Sequence, residues 1–128
     1  MDLEFQNQLC YASTPEHQNT FYGKYIYIYT DKGQLSLTED GIEYIGKKST
    51  YAIRYSAIKS IEMSHYSRIA KPLKLNFIKL RYVIDSVEHA VFLTPTKSPF
   101  MPIHKTNELV KHWLSQLLDV KHTVQNIS

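Results

Sequence analysis

GQLSLTEDGIEYIGKKSTYAIRYSAIKSIEM, residues 33–63, decides the fold. Apolar and polar residues alternate through it, and the runs are broken at Glu39-Asp40-Gly41 and again over residues 46–50 (GKKST). A period of two puts successive side chains on opposite faces of a strand. Leu35 and Leu37 therefore share one face, with Ser36 and Thr38 on the other. Ile42 and Tyr44 share a face in the next run, and Tyr51, Ile53 and Tyr55 lie opposite Ala52 and Arg54 in the one after. Short strands at a spacing of roughly 8–12 residues, joined by tight turns, predict an antiparallel meander that curls into a sandwich or barrel.

Working outward, FYGKYIYIYT (residues 21–30) reads as a first strand, with Ile26 and Ile28 on one face and Tyr25, Tyr27 and Tyr29 on the other. Asp31-Lys32-Gly33 reads as the turn after it, with Gly33 free to take positive φ. Residues 1–20 show no clear period; Thr14-Pro15 stops any helix that Leu3, Phe5 and Leu9 line, and the segment reads as a loosely attached arm. Downstream, Ile58 and Ile61 tuck under a strand over residues 60–67, and residues 66–72 read as a loop. LKLNFIKLRYVI (residues 73–84) is the longest strand. Its apolar phase switches at Phe77-Ile78, which predicts a β-bulge. Asp85-Ser86 is a turn, and VEHAVFL returns with Val87, Val91 and Leu93 on one side. Pro95, Pro99 and Pro102 exclude regular structure over residues 94–105.

The last segment changes period. Leu109, Val110, Trp113, Leu114, Leu117 and Leu118 fall at helical spacing, Thr106 or Asn107 is the expected cap, and Glu108 sits in the first turn. Such a stripe must be buried, and the open end of the curled sheet is its natural acceptor, with Trp113 as plug. The fold expectation is mainly β: a seven-stranded antiparallel barrel or sandwich over residues 21–121 capped by one C-terminal helix, with an arm at 1–20 and a tail at 122–128.

The chain has 128 residues, 43% hydrophobic and 21% charged, which fits one soluble domain. Its aromatics are ten Tyr, five Phe and one Trp, a bias that favours strands. Cys10 is the single cysteine, so no intrachain disulfide forms. The first residues carry acids rather than a basic leader, and no apolar run reaches the ~18 residues of a spanning helix, so the expected location is cytoplasmic. Net charge is +3. Residues 1–20 hold Asp2, Glu4 and Glu16 without Lys or Arg, so −3 there leaves +6 on the rest.

Strand, Asp-Gly turn, strand, Lys-rich turn, an apolar-x-Tyr run and a short step to Ile: LSLTEDGIEYIGKKSTYAIRYSAIKSIEM (residues 35–63) resembles the pleckstrin-homology-like superfold, including its GRAM-type and bacterial PH-like members. The resemblance covers residues 21–121 and rests on the order of elements. It implies a binding platform that uses loops at the open end of a barrel to hold phosphoinositide headgroups, peptides or proteins. Lipid-binding members carry several Lys and Arg on the first two strands, where this chain has Lys24 and Lys32.

Candidate sites follow from local chemistry. Lys47, Lys48 and Arg54 form one candidate rim for an anionic ligand, and Arg68, Lys71 and Lys74 a second, because guanidinium and ammonium groups grip phosphate. Phe100 and Met101, between prolines, are candidates for contact with a partner groove or membrane interface. His104 and His112 have no third ligand at metal spacing, and Cys10 with His17 has no group to orient the base. Only four Gly are present, with no phosphate loop. The expectation is a non-enzymatic module without cofactor or metal. Its partner is a protein or, as the alternative, an anionic membrane surface; a second copy of the chain is a further candidate, and no nucleic acid is expected.

Overall fold

The computed structural model describes residues 5–18, 29–65, 75–98 and 101–127. Alternation in the deciding stretch produces the strands it predicts: β2 (Asp31–Leu37), β3 (Gly41–Gly46), β4 (Thr50–Arg54) and β5 (Ile58–His65), with a 3-10 turn at Tyr55–Ala57. Before them come β1 (Gln8–Ser13) and the one-turn helix α1 (Pro15–Gln18); after them come β6 (Asn76–Ile84), β7 (Val87–Pro95) and helix α2 (Ile103–Ile127). All seven strands join one antiparallel sheet in the order β4-β3-β2-β1-β7-β6-β5. The chain is mainly β with a single long C-terminal helix.

The edge strands β4 and β5 are consecutive in sequence, which constrains the shape. Six inter-strand steps of ~4.8 Å would hold flat edges ~29 Å apart. Four residues from Arg54 to Ile58 span at most ~14 Å. The sheet must therefore curl until its edges approach at that corner. Tyr55 pins the corner: its hydroxyl donates to the Thr38 carbonyl at 2.7 Å, and its N–H to the Asp40 carbonyl at 3.1 Å. No ladder joins β4 to β5 among the described residues, so the sheet is curled without being closed.

The inner face carries the core. Leu35, Leu37, Ile42, Tyr44, Ile78, Leu80, Val91 and Leu93 are all at or below 2% exposure. Helix α2 lays Val110, Trp113 and Leu117 into the same cluster, each at or below 1% exposure, as the helical spacing predicts. Phe5 meets the Trp113 ring edge-on at 4.9 Å. Leu118 stands 44% exposed on the outer side of the stripe.

Five expectations are corrected. Residues 8–13 are not a loose arm: β1 is the middle strand, paired with β2 and β7. Its pattern is faint because its inward residues Cys10 and Ala12 are small, which leaves volume for Tyr44 and Trp113 in the same core. Asp31-Lys32-Gly33 is not a turn but the start of β2, and no described Gly has positive φ. Gly33 pairs with Gly46 across β2 and β3, where a Cβ on Gly33 would collide with the Ile45 carbonyl. The predicted strand over residues 21–30 falls mostly outside the described residues, and the count of seven is restored by β1.

Pairing runs without a break through Phe77 and Ile78, so no bulge sits there; the register shift lies at Ile58/Ser60. Both residues are buried because both faces of β6 are covered. Ile78 joins the main core, while Phe77 packs on Phe92 at 4.3 Å in a second cluster on the outer face with Leu75. Finally, α2 starts at Ile103, one turn before the expected cap, with the Thr106 N–H bonded to the Pro102 carbonyl at 3.0 Å. Thr106 and Asn107 serve tertiary contacts instead: Thr106 meets the Thr96 hydroxyl at 3.2 Å, and the Asn107 side chain accepts the Asn76 N–H at 2.8 Å. Strand β7 likewise extends through Thr94 and Pro95, which pair with Tyr11 and Cys10.

The Asp85-Ser86 turn is as expected, and both residues have positive φ, 52° and 67°. Two-residue hairpins favour that geometry, with Gly at the second position. Ser86→Gly is expected to stabilise the fold by about 1 kcal/mol, because it relieves a left-handed non-glycine residue. A urea midpoint at or below the parent value would contradict this.

Candidate functional site

Strands β6 and β7 outrun their neighbours. The pairing of β5 with β6 reaches only Tyr82, and that of β1 with β7 begins only at Phe92. Among the described residues Val83–Glu88 therefore pair only with each other, Val83 with Glu88 and Ile84 with Val87. No third strand among the described residues covers their side chains. Val83, Ile84 and Val87 are 37%, 47% and 55% exposed, three of the six exposed large apolar side chains among the described residues. A hairpin tip that concentrates apolar side chains in water is a surface awaiting a partner.

At the base of this tip, His89 stacks on Tyr82 at 5.4 Å, and Lys59 pairs with Glu88 at 3.5 Å to tie the hairpin to β5. There β1 has ended and α1 takes over, opening a cleft of about 420 Å³ lined by Glu16, Tyr51, Lys79, Arg81, Tyr82 and His89 among others. Burial raises the Tyr82 pKa, with Tyr51 and Glu16 adding to it, so the phenol stays a neutral hydrogen-bonding group. Lys79 and Arg81 face Glu16 and Glu88 around one opening, a charge-balanced rim among the described residues. Balanced charge beside an apolar knob suits a peptide or protein surface better than a phosphate group.

The sequence-derived residues fall elsewhere. Lys47 and Lys48 are exposed on the β3–β4 turn, whose backbone is held by Asp31. The Asp31 carboxylate accepts N–H bonds from Lys32 at 2.9 Å and from Lys47, Lys48 and Ser49 at 3.0 Å each. Burial works to raise the Asp31 pKa, but these four donors outweigh it and hold the carboxyl below its usual range. Gly46 is required beside this cap, since a Cβ there would strike the Asp31 carboxylate. Arg54 is also exposed but stands at the far end of β4, about 13 Å from Thr50 at ~3.3 Å per residue. The structure thus separates Arg54 from the two lysines.

Arg68, Lys71, Lys74 and Phe100 lie outside the described residues. Met101 is half-buried; its Sδ accepts the Lys97 N–H at 3.4 Å and lies 3.5 Å from the Thr96 hydroxyl. Cys10 is fully buried, and burial pushes its thiol pKa far up against the opposing backbone contact at Thr94. Among the described residues no group of three His, Cys, Asp or Glu converges as a metal site. No described helix is long and apolar enough to cross a membrane.

Sequence reasoning missed the hairpin tip. The signal was present in Val83-Ile84-Asp85-Ser86-Val87: two adjacent apolar residues cannot both face one interior, and a two-residue turn carries them past the sheet. No family model, curated protein or solved structure matches the chain.

Proposed function

We propose that this chain is a non-enzymatic binding module of pleckstrin-homology-like architecture, and that the β6–β7 tip docks a protein partner. The observation that carries the docking is the cluster of Val83, Ile84 and Val87, exposed on a hairpin that no described strand flanks. The architectural part is supported by seven antiparallel strands whose edges meet at one corner and by a single C-terminal helix packed on the inner face. With that face filled by Trp113 and its neighbours, recognition is left to the rims and tips.

The test is capture with the whole chain, comparing the parent with the double variant Ile84→Asp, Val87→Asp. Charges at exposed tip positions leave the core intact, so the melting temperature should change little. The bound partner should be lost with this variant and kept with Lys47→Glu, Lys48→Glu. Equal capture by the parent and the tip variant would contradict the reading.

A second reading, peripheral docking on an anionic membrane, draws on the exposed Lys47 and Lys48 side chains. It predicts flotation with acidic vesicles that weakens as salt screens the charges. It also predicts that Lys47→Glu, Lys48→Glu abolishes flotation while the tip variant does not. Equal binding to charge-neutral vesicles would exclude it.

A further inference from the structure

Strand β1 ends before the strand it pairs with, and the sequence supplies the reason. The Thr96 N–H donates to the Leu9 carbonyl at 2.9 Å, so Thr96 turns its backbone groups towards β1. In an antiparallel ladder every second residue does the same, which puts Thr94, Phe92, Ala90 and Glu88 in that set. Ser13 pairs with Phe92, and the same register carried two residues on sets Pro15 opposite Ala90. Proline has no N–H to donate, so the ladder stops and the chain turns into α1. Ala90 and Glu88 each keep an N–H and a carbonyl on that edge, and no described residue bonds to them there. The cleft of about 420 Å³ opens beside them, lined by Pro15 and Glu16 as well as by Glu88, His89 and Ala90.

An open strand edge is a template for one more strand, held by main-chain hydrogen bonds. Side chains of the added strand alternate between the two faces. The one opposite His89 joins the inner face, beside the stacked rings of His89 and Tyr82, where an aromatic side chain packs. The one opposite Ala90 joins the outer face, with Arg81 the next residue along the row. The Ala90 methyl is too small to screen Arg81. Arg81 makes no ion pair among the described residues, whereas Glu88 is engaged by Lys59. An acidic side chain therefore suits the position opposite Ala90.

We propose that the partner adds an extended strand to β7 at Glu88 and Ala90, continuing the course that β1 breaks off, with an acidic residue opposite Ala90 and an aromatic one opposite His89. This rests on the docking proposed for the adjoining tip and gives it a geometry.

The test uses the full chain and the peptide Val-Glu-Phe-Lys-Val-Thr, acetylated and amidated at its ends. Antiparallel pairing places its Glu opposite Ala90, its Phe opposite His89 and its Lys opposite Glu88. Binding is followed by chemical shifts and amide hydrogen exchange. The Glu88 and Ala90 amides should exchange freely in the parent and about tenfold more slowly once the peptide saturates it. N-methylation of the peptide's Glu and Lys amides, which point at β7, should weaken binding about tenfold, through loss of two neutral hydrogen bonds. N-methylation of its Phe amide, which points away, should not. Arg81→Glu should weaken binding several-fold, and a peptide with Lys in place of Glu should restore it. Glu88 and Ala90 amides already protected in the free chain would overturn the assignment, since the edge is then occupied. So would a peptide that fails to saturate, or one indifferent to N-methylation or to the charge exchange. In each of these cases a captured partner lost with Ile84→Asp, Val87→Asp would still uphold docking by the tip.

Discussion

Trp113→Ala should lower stability by about 3–5 kcal/mol, the range for truncating a large buried aromatic whose site cannot collapse. Trp113 is fully buried, in edge-on contact with Phe5, and shares its cluster with Val110 and Leu117 from the same helix and with residues of the sheet's inner face. Removing it takes away the largest of the side chains that hold α2 to the sheet. A typical domain has only about 5–15 kcal/mol in total, so the variant should unfold at far lower urea, followed by far-ultraviolet circular dichroism. Trp113→Phe, which keeps a ring, should lose less than half as much. A midpoint for Trp113→Ala within experimental error of the parent would mean that α2 is not the seal of the interior.

Asp31→Ala carries the second largest expected effect, a loss of about 2–4 kcal/mol. Hydrogen bonds to a charged acceptor are worth about 1.5–3 kcal/mol each, and Asp31 accepts four. The full sum is not reached, since the amides of the exposed Lys47 and Lys48 turn to water when the carboxylate is gone. Asp31→Asn keeps one acceptor oxygen and should cost about half as much. The pH dependence separates charge from shape. The Asp31 pKa is lowered in the folded protein, so its contribution is present above the unfolded value near 3.9 and lost as pH falls through the lower folded value. The gap in stability between the parent and Asp31→Asn should therefore be widest near neutrality and shrink below about pH 4. A gap that stays constant from pH 7 to pH 3 would show that the carboxylate charge contributes nothing.

Much of the architecture was legible in the sequence where period and burial agree. Ile42 and Tyr44, and Ile53 and Tyr55, alternate cleanly because one face of their strands meets the core and the other is more open, and Leu35 and Leu37 keep the same phase although Ser36 between them is covered as well. The helix was legible for the same reason, since Val110, Trp113 and Leu117 share one buried face. Legibility failed where that simple contrast breaks. In β1 the inward residues are Cys10 and Ala12, chosen for small volume and carrying little hydrophobic signal. In β6 both faces are covered, so Phe77 and Ile78 are buried side by side and imitate a bulge. At Asp31-Lys32-Gly33 the composition of a turn serves a strand instead. Asp31 caps the neighbouring turn, and Gly33 lets β2 and β3 approach.

The candidate site was less legible than the fold. Basic residues draw attention in a sequence, and Lys47 and Lys48 do lie on an exposed turn, but three-dimensional spacing parts them from Arg54. Val87 reads as an interior residue because its pattern continues that of Val91 and Leu93. Only the pairing partners of β6 and β7 reveal that the sheet ends before they do.

Both the fold and the proposed docking rest on α2 filling the inner face of the curled sheet. Trp113 is the single tryptophan, so fluorescence excited on the red edge of the indole band, beyond the absorption of the ten tyrosines, reports on that contact alone. The account predicts blue-shifted emission from the native protein, insensitive to iodide and acrylamide until unfolding. Red-shifted emission quenched freely under native conditions would place the indole in water and contradict it.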